Sequence, residues 1–192
     1  TANRESSLAI GNQNSATNKS ASAIGVGNTA SAEASVALGN ANTASGDRSI
    51  AIGSGAEAIK AETIAAGRKA KATGDYSIAL GTETEASKNN AVAIGRVSKA
   101  TGTSATAIGV NNKAQADDSS AVGSSNPIAA AATQASAFGR ENTVNRGGTI
   151  AAGYKNTTDG DRNVAIGNEN TTTGEESIGI GTKVIAGTGK TI

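Results

Sequence analysis

The residues of this 192-residue chain best suited by type and spacing to chemistry are two acidic groups, Asp117-Asp118 and Asp159-Gly160-Asp161. Neighbouring carboxylates can hold a hard cation through oxygen, but the spacing of an EF-hand loop and its closing Glu are missing. Gly160-Asp161 also falls in register with Gly46-Asp47 and Gly74-Asp75. That recurrence reads as a turn, where Gly and Asp are favoured for their backbone freedom and local hydrogen bonding. Histidine and cysteine are absent, which excludes Ser-His-Asp triads, His-bearing zinc sites and thiolate nucleophiles. Ser and Thr abound, but each sits in a column that strand and turn propensity explains. Stretches such as Gly25-Val26-Gly27 imitate part of a phosphate loop, without the following helix or the Lys-Ser/Thr. The expectation is a chain that is no enzyme and takes no metal or cofactor.

Composition narrows the remaining classes. Apolar residues make up 36%, with one Phe, two Tyr and no Trp or Met. Alanine buries little area, so at ~25 cal/mol per Å² each turn gains little from its own interior. Association is a way to bury more surface. The net charge of +1 removes the electrostatic case for nucleic acid, which needs a basic face. There is no apolar stretch of membrane-spanning length, so no membrane contact by this fragment is expected. Both ends fall nearly in mid-pattern, which suggests a domain of a longer protein.

The elements that would position any site are set by a repeat. Thirteen motifs of the form apolar-Ala-apolar-Gly end at Gly11, Gly25, Gly39, Gly53, Gly67, Gly81, Gly95, Gly109, Gly123, Gly139, Gly153, Gly167 and Gly181. The step is fourteen residues except from Gly123 to Gly139, which is two longer. A fixed short period means a solenoid, in which each coil touches only its neighbours. In the coil from Ser35 to Gly46, Val36 to Gly39 form a first strand, with Val36 and Leu38 on one face and Ala37 and Gly39 on the other. Asn42 to Gly46 form a second segment, and Gly46-Asp47-Arg48 turns the chain back.

Stacking the coils turns letters into columns. Val36, Ile50, Ile78, Val92 and Val164 share one column; Leu38, Ile52, Leu80, Ile94 and Ile166 share another. Alanine stands between them, so both strand faces are non-polar, the mark of a strand covered on both sides. Alanine and glycine suit the thin interior and the two columns suit neighbouring subunits, although the pattern also allows the reverse. Either placement asks for a homo-oligomer. The glycines Gly39, Gly53, Gly81, Gly95 and Gly167 close the strand where a tight turn or close backbone approach disfavours a Cβ. The Asn column, with Asn14, Asn28 and Asn42 and again Asn142, Asn156 and Asn170, suits turns and stacked amide ladders.

The motifs Ser35-Val-Ala-Leu-Gly39, Ser49-Ile-Ala-Ile-Gly53, Ser77-Ile-Ala-Leu-Gly81 and Asn163-Val-Ala-Ile-Gly167 resemble the head repeat of trimeric autotransporter adhesins, the YadA-like heads. The resemblance covers residues of about 6 to 186. It implies an all-β, left-handed parallel β-roll of about thirteen 14-residue coils, three copies of which associate as a homotrimer. The left hand comes from the resemblance alone, since parallel crossovers are generally right-handed. It further implies display outside the outer membrane of a Gram-negative bacterium. The partners it implies are host extracellular matrix proteins (collagen, fibronectin or laminin) or host cell receptors, and it implies autoagglutination. No neck, heptad-patterned stalk or membrane-anchor strands follow Gly181. The whole of residues 1–192 reads as a single head domain. The two-residue insertion, placed at about 124–134 around the one proline, makes Ser124, Ser125, Asn126 and Pro127 the candidate ligand-contacting loop, because insertions in solenoid turns often carry binding. The rival reading is a structural spacer of a surface fibre with its ligand site elsewhere.

Overall fold

The structure, a computed structural model, describes residues 1–187. The chain divides into two compact units, Thr1–Val97 and Ser98–Ile192. Each unit is a parallel β-solenoid with turns of about fourteen residues, and thirteen turns are present among the described residues. A turn supplies a five-residue strand that carries the motif glycine fourth, as in Val36–Asn40, and a two-residue strand, as in Thr43–Ala44. The second strand is thus shorter than the Asn42-to-Gly46 segment expected, because Asn42 and the Gly46 turn serve other bonds.

Pairing is in register at the repeat length: Val36 opposite Ile50, Ala37 opposite Ala51, Leu38 opposite Ile52, Gly39 opposite Gly53. In the Ser98–Ile192 unit the register crosses the longer step intact, with Ala121 opposite Ala137 and Gly123 opposite Gly139. Side chains alternate along each long strand. Ala37, Ala51, Ala107, Ala121 and Ala165 point inward and are fully buried. From the short strands Ala44, Ala58, Ala100 and Ala114 meet them from the other side. The interior is therefore largely a sandwich of methyl groups, with Ile128 and Val144 the larger apolar side chains buried in it, while those of the long strands point out.

Asparagine holds the turns together. Asn28 Nδ2 lies 2.9 Å from its own turn's Ile24 carbonyl, 2.7 Å from the next turn's Gly39 carbonyl and 3.0 Å from Asn14 Oδ1. Its Oδ1 in turn accepts the backbone N–H and the Nδ2 of Asn42, at 3.0 and 2.9 Å. Every polar atom of this buried amide is used, which removes the cost of burying it. In the Ser98–Ile192 unit the ladder runs from Asn112 through Asn126, Asn142 and Asn156 to Asn170.

The motif glycines answer to backbone approach. Gly39 has φ +124, and a Cβ there would stand 2.1 Å from the Gly53 carbonyl oxygen, a contact no real side chain makes. Gly53, Gly81, Gly95 and Gly167 share the conformation, with φ of 128, 125, 117 and 123.

Candidate functional surfaces

Three surfaces are open to a partner. The first is the outer face of the long strands. Val36, Ile50, Ile78, Val92 and Val164 are half-buried there, as are Leu80 and Ile94, while Leu38, Ile52 and Ile166 are exposed. None belongs to the interior. Leu38 keeps 40% of its surface accessible, Ile52 38% and Ile166 39%. Within each unit the column that holds Leu38, Ile52 and Ile166 is apolar in every turn, with Ala66 and Ala152 its small members, while the column that holds Val36 and Val164 is interrupted by Ser22, Thr106, Ser120 and Ser136. A stripe of this kind marks an interaction surface.

The second surface is the edge that follows each motif glycine. In the Ser98–Ile192 unit it carries an ion-pair ladder, with Lys155 3.8 Å from Glu141 and Lys183 3.8 Å from Glu169. Arg140 lies over the Tyr154 ring at 4.4 Å and Lys155 at 5.0 Å. The Lys155 ammonium is held above its ordinary pKa, chiefly by the Tyr154 side chain and then by Glu141. These groups are solvated and satisfy one another, so they stabilise little.

The third is the opposite edge, where the chain turns from short strand to long. The longer step in the repeat opens there. Ser124, Ser125, Asn126 and Pro127 do not form the inserted loop. Ser124 ends the long strand Ser120–Ser124, and Ser125 is the left-handed turn residue with φ 56, as Ala41 is with φ 54. Asn126 is a fully buried rung of the amide ladder, and Pro127 begins the short strand Pro127–Ile128. The two extra residues are Ala130 and Ala131. Ala132 resumes the regular register and is buried, as Ala32 and Ala116 are at the equivalent place. Asn126 betrayed this in the sequence: it stands three after Gly123 as Asn112 stands three after Gly109, so the turn up to it was regular.

Beside this bulge lies a hollow of about 370 Å³, whose wall includes Ala131 and whose lining includes Gly147 and Gly148. The acidic pairs sit along the same edge. Asp117 Oδ1 accepts the Thr103 N–H at 2.7 Å, and Asp118 is a left-handed turn residue with φ 55. Asp161 occupies the turn register expected of it. Among the described residues no group of three His, Cys, Asp or Glu gathers as a metal site, and no helix is long and apolar enough to cross a membrane.

The left-handed residues went unread in the sequence. Each turn carries them at two places, for example Ala34 and Ala41, Glu62 and Lys69, Arg162 and Glu169, all near φ +55. Gly27 and Gly55, two residues after a motif glycine, were the available signal.

Comparison with protein families finds a match to the YadA head domain repeat (2 copies), at residues 2–28, 16–42, 30–56, 58–84, 72–98, 86–112, 100–126 and 159–183. The unmatched stretch between 126 and 159 contains the bulge and part of the hollow's lining, while Asp161 and Arg162 lie in the matched copy at 159–183. No curated protein matches the chain.

Proposed function

The chain belongs to the YadA head family, a non-enzymatic adhesin domain, and from that premise we propose that it is the adhesive head of a trimeric autotransporter displayed on a Gram-negative cell surface. Both units are read as parts of one head domain, coiled with the left hand of its family. The observation that carries the trimer is the apolar stripe on the outer long-strand face, whose Leu38, Ile52 and Ile166 keep 38–40% of their surface uncovered within the chain. At ~25 cal/mol per Å² of apolar surface, removing this stripe from water along the stack offers a driving force that the alanine interior lacks. A symmetric assembly satisfies the stripe on each copy with the same surface. Three copies also present every outer site three times, so weak contacts to a repetitive matrix add through avidity. Collagen, fibronectin, laminin or a host receptor is the partner class.

The test has two parts. Light scattering of the purified chain is expected to give three times the chain mass at micromolar concentration, and Ile52→Asp with Ile166→Asp is expected to give monomer or unfolded chain. A folded native monomer overturns the trimer. A binding panel of immobilised collagen, fibronectin, laminin and epithelial cells tests adhesion. Capture of none, by a trimer, leaves the head a structural spacer in a longer fibre.

A further inference from the structure

The hollow beside the bulge has features that the rest of the repeat does not. In regular turns an Asp at the start of the returning edge is consumed by the backbone. Asp47 accepts the Glu33 N–H at 3.3 Å, Asp75 the Ala61 N–H at 3.3 Å and Asp117 the Thr103 N–H at 2.7 Å. Asp161 holds the same place in its turn and lines the hollow, yet its carboxylate makes no such bond among the described residues. The residue it would face is Gly147, followed by Gly148 at φ +63. A Cβ on Gly147 would stand 3.0 Å from the Thr133 carbonyl oxygen and one on Gly148 3.4 Å from Arg162 Cγ, so these two glycines keep the edge bare where other turns carry side chains. Ala131, one of the two extra residues, supplies a wall, and Thr133 and Gln134 bring a hydroxyl and an amide.

The charge of the hollow follows from its pairing. Arg162 also lines it, but its guanidinium is drawn to Glu176, at 3.1 Å, and lies 3.9 Å from Glu175. The cation is neutralised by its own neighbours and Asp161 is not. A volume of about 370 Å³ sits at the small end of ligand sites. It suits one long side chain better than a compact cofactor.

We propose that this hollow receives the cationic side chain, Lys or Arg, of an extended segment of a partner protein. The ammonium or guanidinium pairs with the Asp161 carboxylate, Gln134 and Thr133 offer hydrogen bonds, and the aliphatic stem lies against Ala131. The proposal rests on the adhesive reading and names a chemistry for its ligand. It does not depend on the trimer.

The experiment is a titration of the full chain with a fluorescent nonapeptide alternating Lys and Ser, at low salt, read by anisotropy, with a Gln-for-Lys peptide as reference. The native chain is expected to bind the Lys peptide and not the Gln peptide. Asp161→Asn is expected to weaken binding about three- to fivefold, the range of one exposed charge pair. Removal of Ala130 and Ala131, which restores the fourteen-residue step, is expected to abolish it. Asp47→Asn, whose carboxylate is already used by the backbone, is expected to change nothing. Equal weakening by Asp47→Asn, or native binding by Asp161→Asn, overturns the proposal. Amide resonances in the native chain give a readout that no folding defect disturbs: shifts on peptide addition belong at 129–134 and 147–148, and shifts confined elsewhere overturn the site. A head that captures matrix protein while ignoring the peptide removes the hollow and keeps the adhesive reading. A peptide bound in the hollow by a head that captures no matrix protein does the opposite.

Discussion

The turn that contains Ala44 and the turn that contains Ile128 occupy the same place in the repeat and solve their interiors differently. Ala44 is the inward residue of its short strand, fully buried against other methyl groups. Ile128 is the inward residue of Pro127–Ile128 and is buried just as completely, with three more carbons. Val144, its ladder partner in the following turn, is buried too. Five residues lead from Ala44 to the next long strand, Ile50–Ser54; seven lead from Ile128 to Ser136–Arg140. The longer connection goes with the larger side chain. Connection length does not act alone, because Val144, Thr158 and Thr172 are buried at the same place in turns of ordinary length.

The largest expected effect comes from reversing the two interiors. Ile128→Ala should cost about 3 kcal/mol, since a widened turn held open by backbone bonds cannot collapse onto the gap. Ala44→Ile should cost about 2 kcal/mol through overpacking, because the neighbouring turns at Ala30 and Ala58 leave no volume for it. Urea midpoints at one fixed protein concentration check both, the fixed concentration being needed if the chain assembles. If Ala44→Ile is tolerated and Ile128→Ala is neutral, the interior adapts to either residue at this place.

A second contrast lies inside the Thr1–Val97 unit. Its first three turns carry Asn14, Asn28 and Asn42, and the next three carry Ala56, Ala70 and Thr84 at the same place. The ladder ends where Asn42 Oδ1 accepts the Ala56 N–H at 2.8 Å. Replacing Asn126 by Ala in the laddered Ser98–Ile192 unit should cost about 2 kcal/mol, because the Asn142 N–H and Nδ2 lose their buried acceptor. Ala56→Asn should gain up to about 1 kcal/mol by adding a rung between Asn42 and the Gly67 carbonyl. Hydrogen exchange of the flanking amides reports each change locally. An Ala56→Asn chain less stable than the native would mean that the unladdered turns have closed on themselves and have no room for an amide.

Much of this arrangement was legible in the sequence, because a solenoid repeats its evidence. The fourteen-residue step, the long strand around the motif glycine and the Asn column each recur often enough to rise above chance, although the strand runs one residue past the glycine that was expected to close it. The direction of the strand faces was less legible, since alanine on one side and isoleucine on the other both suit burial. The two extra residues fall inside the expected insertion at about 124–134, but the candidate loop was set at Ser124-Ser125-Asn126-Pro127, which has the composition of a loop, whereas Ala129 to Ala132 has that of a strand or helix. Composition was followed there where register should have been. The hollow itself was illegible: it depends on two glycines, Gly147 and Gly148, a full turn away from the bulge that walls it.

The smallest effect concerns the edge turns, and it separates backbone strain from packing. Val97 holds φ +59, a left-handed conformation that a β-branched residue adopts only under strain. Gly27 and Gly55 occupy the same place in their turns at φ +66, and a Cβ on Gly27 would meet nothing within 4 Å. Gly27→Val therefore changes backbone preference alone and should cost about 1 kcal/mol. Val97→Gly should return roughly 0.5 kcal/mol, less than the strain released because glycine also gains freedom in the unfolded chain. Thermal melts at matched concentration resolve differences of this size as shifts of a few degrees. If Gly27→Val costs nothing, left-handed turns in this repeat are supported by their bonds to the preceding turn, such as Ala41 N–H to the Val26 carbonyl at 2.9 Å. The tolerance of Ala, Lys, Glu and Tyr at these places would then be a property of the stack, which regular turns and the bulged turn share.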